Sequence, residues 1–170
     1  LLAETRRHLE QVQALRAIDV AIAGSLDLRL TMNVVLEQVT SQLGVDAADV
    51  LLLNPHTQTL EHIAGRGFRT TALQHTRLRL GEGHAGRAAL ERCVVNIPNL
   101  AETENGFRRA PSLPQENFVA YYGVPLMAKG QVKGVLEVFH RASLDPDQEW
   151  LGYLETLAGQ TAIAIDSVTL

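Results

Sequence analysis

The chain has 170 residues, 46% of them hydrophobic and 20% charged, a length and balance that fit one globular domain with a substantial core. The 15 Lys and Arg against 19 Asp and Glu give a formal charge of −4, which excludes the basic surface a nucleic-acid partner needs. The single cysteine allows neither an internal disulfide nor a thiolate metal cluster, and no run of about 18 apolar residues offers a membrane span, so a reducing, cytoplasmic setting without membrane contact is the expectation.

Residues 4–23 read as a helix whose apolar positions Leu9, Val12, Leu15, Ile18 and Ile22 step by three and four into one stripe. Gly24-Ser25 ends it. Asp27 is placed to cap a second helix over 28–43, with Met32, Val35, Leu36, Val39 and Leu43 as its apolar face and Gly44 as its stop. Asp49–Asn54 is a short buried strand. The turn Pro55–Gln58 joins it to a second strand, Thr59–Gly65, so the two make a hairpin. Arg77–Leu80 alternates with period two, as a strand does. A short helix over about 84–92 and a strand at Val94–Ile97 follow. Residues 98–116, with Pro98, Pro111 and Pro114, form a long irregular loop holding one helical turn.

Phe118–Met127 and Val132–His140 are separated only by Ala128–Gln131, which predicts an antiparallel hairpin. Asp145 and Pro146 supply the cap and first position of a last helix. In that helix Leu151, Leu154, Ala158, Thr161, Ile165 and Val168 form a heptad-like seam that can face the sheet, the first helix or a second copy of the chain. The chain starts at Leu1 without Met and stops within a helical pattern at Leu170, so it reads as a piece of a longer protein. The whole of 1–170 is taken as one domain, with 1–24 and 146–170 as terminal helices continuing into neighbouring domains.

Gly81-Glu82-Gly83-His84-Ala85-Gly86 is a literal Gly-x-Gly-x-x-Gly between a strand and a helix, the outline of a dinucleotide-binding turn. Its context disagrees with that reading. Glu104, near the spacing at which an acidic residue would meet the ribose, lies in the loop rather than at the next strand end. The tight hairpin that follows is foreign to a doubly wound parallel sheet. Two readings remain. The glycines serve only to turn the chain sharply into the helix, or they also aim the helix start at a pocket, where free N–H groups hold a polar ligand.

Three stretches together resemble the GAF domain family: "LRLGEGHAGRAALERCVVNIPNL", "VAYYGVPLMAKGQVKGVLEVFH" and "WLGYLETLAGQTAIAID". The resemblance implies an α+β fold, a central antiparallel sheet of five or six strands. Terminal helices pack on one face, and short helices and loops cover a pocket on the other. It implies a small-molecule-sensing regulatory domain in a bacterial signalling protein such as a sensor kinase or a cyclic-dinucleotide enzyme. Such a domain dimerises through its terminal helices and acts on an output domain in the same chain, and because no Ser–His–Asp layout, paired carboxylates on one element or metal motif is readable, no enzyme activity is expected. The alternative is a degenerate member that only dimerises and transmits movement.

The sequence departs from the specialised members. The Asn-Lys motif of cyclic-nucleotide binders is missing at 140–145, and Cys93 stands in the wrong place for a bilin. A single cysteine cannot run intramolecular thiol–disulfide turnover, and no two of the six histidines form a tight pair for iron. No cofactor and no metal is therefore assigned, and the ligand is unidentified. Cys93 reads as a small buried apolar residue.

The candidate ligand-binding residues are His84, Arg87, Asn99, Phe107, Phe118, Tyr121, Tyr122 and Glu137. His84 and Arg87 stand at the helix start, Arg87 as an anion contact or a solvated cation. Asn99 is a turn residue or a polar wall. Phe107 and Phe118 flank the long loop as lid residues, with core packing the other reading for Phe118. Tyr121 and Tyr122 point to opposite faces, so one belongs to the pocket. Strand alternation puts Lys133, Val135, Glu137 and Phe139 on one face, where Glu137 is either edge-exposed or buried with a partner.

Overall fold

The computed structural model describes residues 2–24, 27–102 and 113–168. Helix α1 (Leu2–Gly24) and helix α2 (Leu28–Leu43) lead into the hairpin β1 (Ala47–Asn54) and β2 (Thr59–Arg66). A 3₁₀ turn (Ala72–His75), β3 (Arg77–Arg79), α3 (Gly83–Glu91) and β4 (Val95–Ile97) follow. After the 3₁₀ turns Leu100–Glu102 and Leu113–Glu116 come β5 (Ala120–Ala128), β6 (Gln131–His140) and α4 (Gln148–Val168). Every expected helix and strand is present, its ends within two residues of those the sequence predicts. The six strands form one antiparallel sheet in the order β3-β2-β1-β6-β5-β4. This is the α+β architecture expected.

Side-chain alternation divides the sheet into two buried surfaces. Val50, Tyr122, Val124, Leu136 and Val138 face α1, α2 and α4. Leu51, Leu60, Tyr121, Val135 and Phe139 face α3 and the loops. The helical side is tied by polar anchors at its edges. The Asp27 carboxylate accepts the Arg29 amide at 2.9 Å and starts α2, and Gly44 ends it with φ +68°. The Trp150 indole donates to the Leu43 carbonyl at 2.9 Å, and the Tyr153 hydroxyl donates to the Gln11 carbonyl at 3.2 Å.

Four sequence expectations are corrected here. Among the described side chains of α1 the buried ones are Gln11, Ala14 and Ile18, with Leu15 packed on the same core, because α1 rests on both α2 and α4; Leu9 and Val12 are 55% and 49% exposed, and the side chain of Ile22 lies outside the described residues. The cap of α4 is Asp147, whose carboxylate accepts the Trp150 amide at 2.8 Å, rather than Asp145; burial of Trp150 fixes this later start. Lys133 leaves the face of Val135 and Glu137, because it is the extra residue of a bulge opposite Leu126 and Met127. Its ammonium reaches Asp166 of α4 at 3.4 Å, alongside Lys129 at 3.2 Å. Cys93 is exposed, its thiol 3.7 Å from Glu91, because it follows the end of α3 instead of entering the core. The seam of α4 faces the sheet and the other helices, apart from exposed Val168.

The glycine turn works through the backbone. Gly81 has φ +86°, and its amide donates to the Gly86 carbonyl at 2.8 Å. A Cβ on Gly86 would lie 2.6 Å from the Arg79 carbonyl, so α3 can start this close to β3 only with glycine there. By contrast, Gly159 in α4 has open space around its Cβ position. Gly86→Ala is therefore expected to destabilise by about 1–3 kcal/mol. Gly159→Ala is expected to stabilise by about 0.4–1 kcal/mol. Urea denaturation of the two variants checks both signs.

Candidate functional site

The loop-side face holds a row of polar groups at the centre of the sheet. Asp49 of β1 and Glu137 of β6 are register partners, so their side chains stand side by side on this face, and both are fully buried. Glycines flank them in the same row: Gly65 opposite Asp49, and Gly123 opposite Glu137. The missing side chains leave room for neighbours to lean inward. A Cβ on Gly123 would meet the Tyr121 hydroxyl at 2.7 Å, and one on Gly65 would meet the His62 ring at 2.9 Å. The Tyr121 hydroxyl donates to Glu137 Oε2 in a short bond of 2.5 Å. Glu137 is thus buried with a partner, not edge-exposed.

From this row an aromatic chain runs along the face. The His84 ring lies 5.5 Å from Tyr121, Tyr121 lies 5.2 Å from Phe139, and Phe139 contacts Phe118 at 4.7 Å and Phe68 at 5.5 Å. The Arg141 guanidinium caps the far end, 4.8 Å over Phe118.

Arg141 also pairs with Glu116 at 2.8 Å, and Glu116 is 1% exposed. Glu116 Oε1 accepts from the amides of Arg69 (3.0 Å) and Thr70 (2.8 Å) and from the Thr70 hydroxyl (3.1 Å). Its Oε2 accepts from Arg141 and from the Arg69 amide at 3.0 Å. Burial alone would push the Glu116 carboxyl up; the two amides, the guanidinium and the hydroxyl outweigh it and hold the group below its ordinary 4.5. A cleft of about 170 Å³ opens beside this cluster, lined by His62, Gly65, Phe68, Arg69, Thr70 and Leu73.

Of the candidate residues, the face unites His84, Phe118, Tyr121 and Glu137. Phe118 serves both expected roles, packed on Phe139 and lying under Arg141. Tyr122 does not belong to the site: it lies on the helical side, with its ring 5.3 Å from Trp150. Arg87 is exposed on α3. Asn99 Oδ1 accepts the Ala101 amide at 3.0 Å, the geometry of a turn residue. Phe107 lies outside the described residues. Sequence reasoning did not single out Phe68, Glu116, Arg141, His62 or Asp49. Only Asp49 carried a local signal, as a carboxylate opening an apolar strand. Among the described residues, no three His, Cys, Asp or Glu side chains form a metal-holding group. Nor is any helix long and apolar enough to cross a membrane.

The chain belongs to the GAF domain family, whose profile matches residues 25–166. GAF domains are regulatory and sensory domains of signalling proteins. The chain is similar to the solved GAF domain of an Acinetobacter phosphoenolpyruvate-protein phosphotransferase, with 28% identity over 94% of each chain and a TM-score of 0.80. It is similar in fold to the GAF domain of a Coxiella burnetii phosphoenolpyruvate-protein phosphotransferase, with 20% identity over 95% of each chain and a TM-score of 0.82. It is also similar in fold to the free methionine-R-sulfoxide reductase of Neisseria meningitidis in complex with its substrate. There the identity is 18% over 94% of this chain and 90% of that one, with a TM-score of 0.76. No curated protein matches the chain.

Two outcomes follow from the geometry. Tyr121→Phe keeps the ring and deletes the donor to Glu137, so it is expected to cost about 1.5–3 kcal/mol in urea denaturation. Glu116 has a lowered folded-state pKa, so its stabilisation is complete above the unfolded value near 4.5 and is lost as the pH falls through the folded one. The stability gap between wild type and Glu116→Gln is therefore expected to be wide at pH 7 and to close in acid. Parallel denaturation series across that range check it.

Proposed function

We propose that this chain is a small-molecule-sensing regulatory domain of a larger bacterial signal-transduction protein. The observation that carries the reading is the buried Tyr121–Glu137 pair under the aromatic chain, on the same loop-side face as a cleft whose walls include Gly65 of the polar row and Phe68 of the aromatic chain, though not the pair itself. A buried carboxylate among rings specifies one ligand orientation, while the rings supply contact area. The helix start at His84 meets the same face through the Tyr121 ring.

The domain senses rather than catalyses. Intramolecular thiol–disulfide turnover of sulfoxide-reductase type needs a second thiol, and the sequence has only Cys93. The ligand acts by shifting the population between packings of the loop-side face. The terminal helices carry the shift to an output domain in the same chain, and exposed Leu2, Leu9 and Val12 on α1 and Ile163 on α4 support pairing with a second copy. The setting is cytoplasmic.

One observation favours a second reading, a domain that only dimerises and transmits movement. The cleft of about 170 Å³ is small beside the roughly 300–1,000 Å³ of drug-sized ligand pockets. A thermal-shift screen of metabolites separates the two. At roughly 100 times its Kd, a sensed ligand is expected to raise the melting temperature by about 5–10 °C. The rise is expected to shrink in Glu137→Gln. A screen without any such response, on a chain that is dimeric by light scattering, would establish the second reading.

A further inference from the structure

The geometry points to the nest around the Glu116 side chain as a carboxylate-binding site, occupied in this conformation by the chain's own residue. Five donor contacts converge on one carboxylate: the Arg69 amide on both oxygens, the Thr70 amide and hydroxyl on Oε1, and the Arg141 guanidinium on Oε2. Both oxygens are served by these donors, the recognition pattern of a planar monoanion. Much of the nest is held independently of the Glu116 carboxylate. The Arg141 amide donates to Asp46 at 2.8 Å and its guanidinium donates to the Gly67 carbonyl at 3.2 Å. Gly67, at φ +88°, brings the loop so close to β1 that a Cβ would lie 2.0 Å from the Asp46 carbonyl. The Arg69 and Thr70 amides are therefore fixed by the backbone just before them.

The nest also has an approach. Arg69 and Thr70 line the cleft of about 170 Å³, together with Phe68, whose ring contacts both Phe118 and Phe139. A small carboxylate entering the cleft meets the same two amides, with apolar walls at Phe68 and Leu73 for its carbon atoms. Taking the place of the Glu116 carboxylate, it removes that group's bonds to Arg69, Thr70 and Arg141 and leaves the turn Leu113–Glu116 tied through its backbone, where the Glu116 carbonyl accepts Arg141 Nε at 2.7 Å and the Gln115 carbonyl accepts the Arg69 guanidinium at 3.4 Å. That turn lies directly before β5, the strand that carries Tyr121. Glu116 thus acts as a tethered competitor, and the ligand class is a small organic carboxylate. As a statement about the sensed molecule this rests on the sensing reading above; as a statement about the nest it stands alone.

Chemical rescue tests the nest directly. Glu116→Ala empties it, and about 100 mM sodium formate or acetate is expected to raise the variant's melting temperature by roughly 2–4 °C more than it raises that of wild type. Sodium chloride at the same ionic strength is expected to give no such difference. In Glu116→Gln, which keeps the side-chain volume, formate is expected to move the Arg69 and Thr70 amide resonances saturably. This titration decides the matter if Glu116→Ala does not fold. Equal responses to formate and chloride in the variants overturn the site. A larger rescue by inorganic phosphate than by formate overturns the carboxylate class. Rescue without any hit in a metabolite screen leaves the nest standing and removes the sensing reading; hits without rescue do the reverse.

Discussion

The alternation of side chains along β5 and β6 is the constraint on which the remaining structure depends. Consecutive residues of an extended strand point to opposite sides, so neighbours in sequence enter different environments. Tyr122 packs on Trp150 among the helices, while Tyr121 reaches Glu137 under the loops. Val138 closes the helical core, and Phe139 anchors the aromatic chain. A slip of one residue would drive Glu137 into the helical core and expose the apolar positions to the polar row. Glycine permits the close approach of β6 to β1 in this register: a Cβ on Gly134 would lie 2.1 Å from the Leu51 carbonyl.

The two faces so defined are held by different forces. The helical side is a largely apolar core tied by hydrogen bonds from Trp150 and Tyr153 to backbone carbonyls of other elements, and by the buried Thr161 hydroxyl to the Leu157 carbonyl of its own helix. The loop side combines rings with buried charge, which stabilises only when each charge is matched by donors. Glu116 is matched by the amides of Arg69 and Thr70 and by Arg141. Rearranging that side therefore changes hydrogen bonds and ring contacts without opening the helical core.

The fold was readable where its signals are local. Asp27 and Gly44 bracket α2 by cap chemistry, and the close spacing of the hairpins excludes a parallel crossover. The glycine run kept its meaning as a backbone device once the following hairpin removed the dinucleotide reading. The site was readable only in part. Alternation put Glu137 and Phe139 on one face, and it put one of two tyrosines there without saying which. Lys133 defied the pattern because a bulge shifts the register, and a bulge leaves no mark in composition. Leu9 and Val12 fit a helical stripe as well as Gln11 and Ala14 do; tertiary contact with α2 and α4 chooses between them. The Glu116 cluster joins residues 69–70, 116 and 141, which no spacing rule connects.

The central claim is that the loop side can loosen while the helical side stays closed. Hydrogen exchange of wild type and Glu116→Ala measures this residue by residue. The account predicts that exchange at the amides of residues 69–76, and at those of the turn Leu113–Glu116, accelerates by a far larger factor than at the slowest amides of α2 and β6. Acceleration by one common factor on both sides of the sheet would mean that the domain opens only as a whole, and would contradict it.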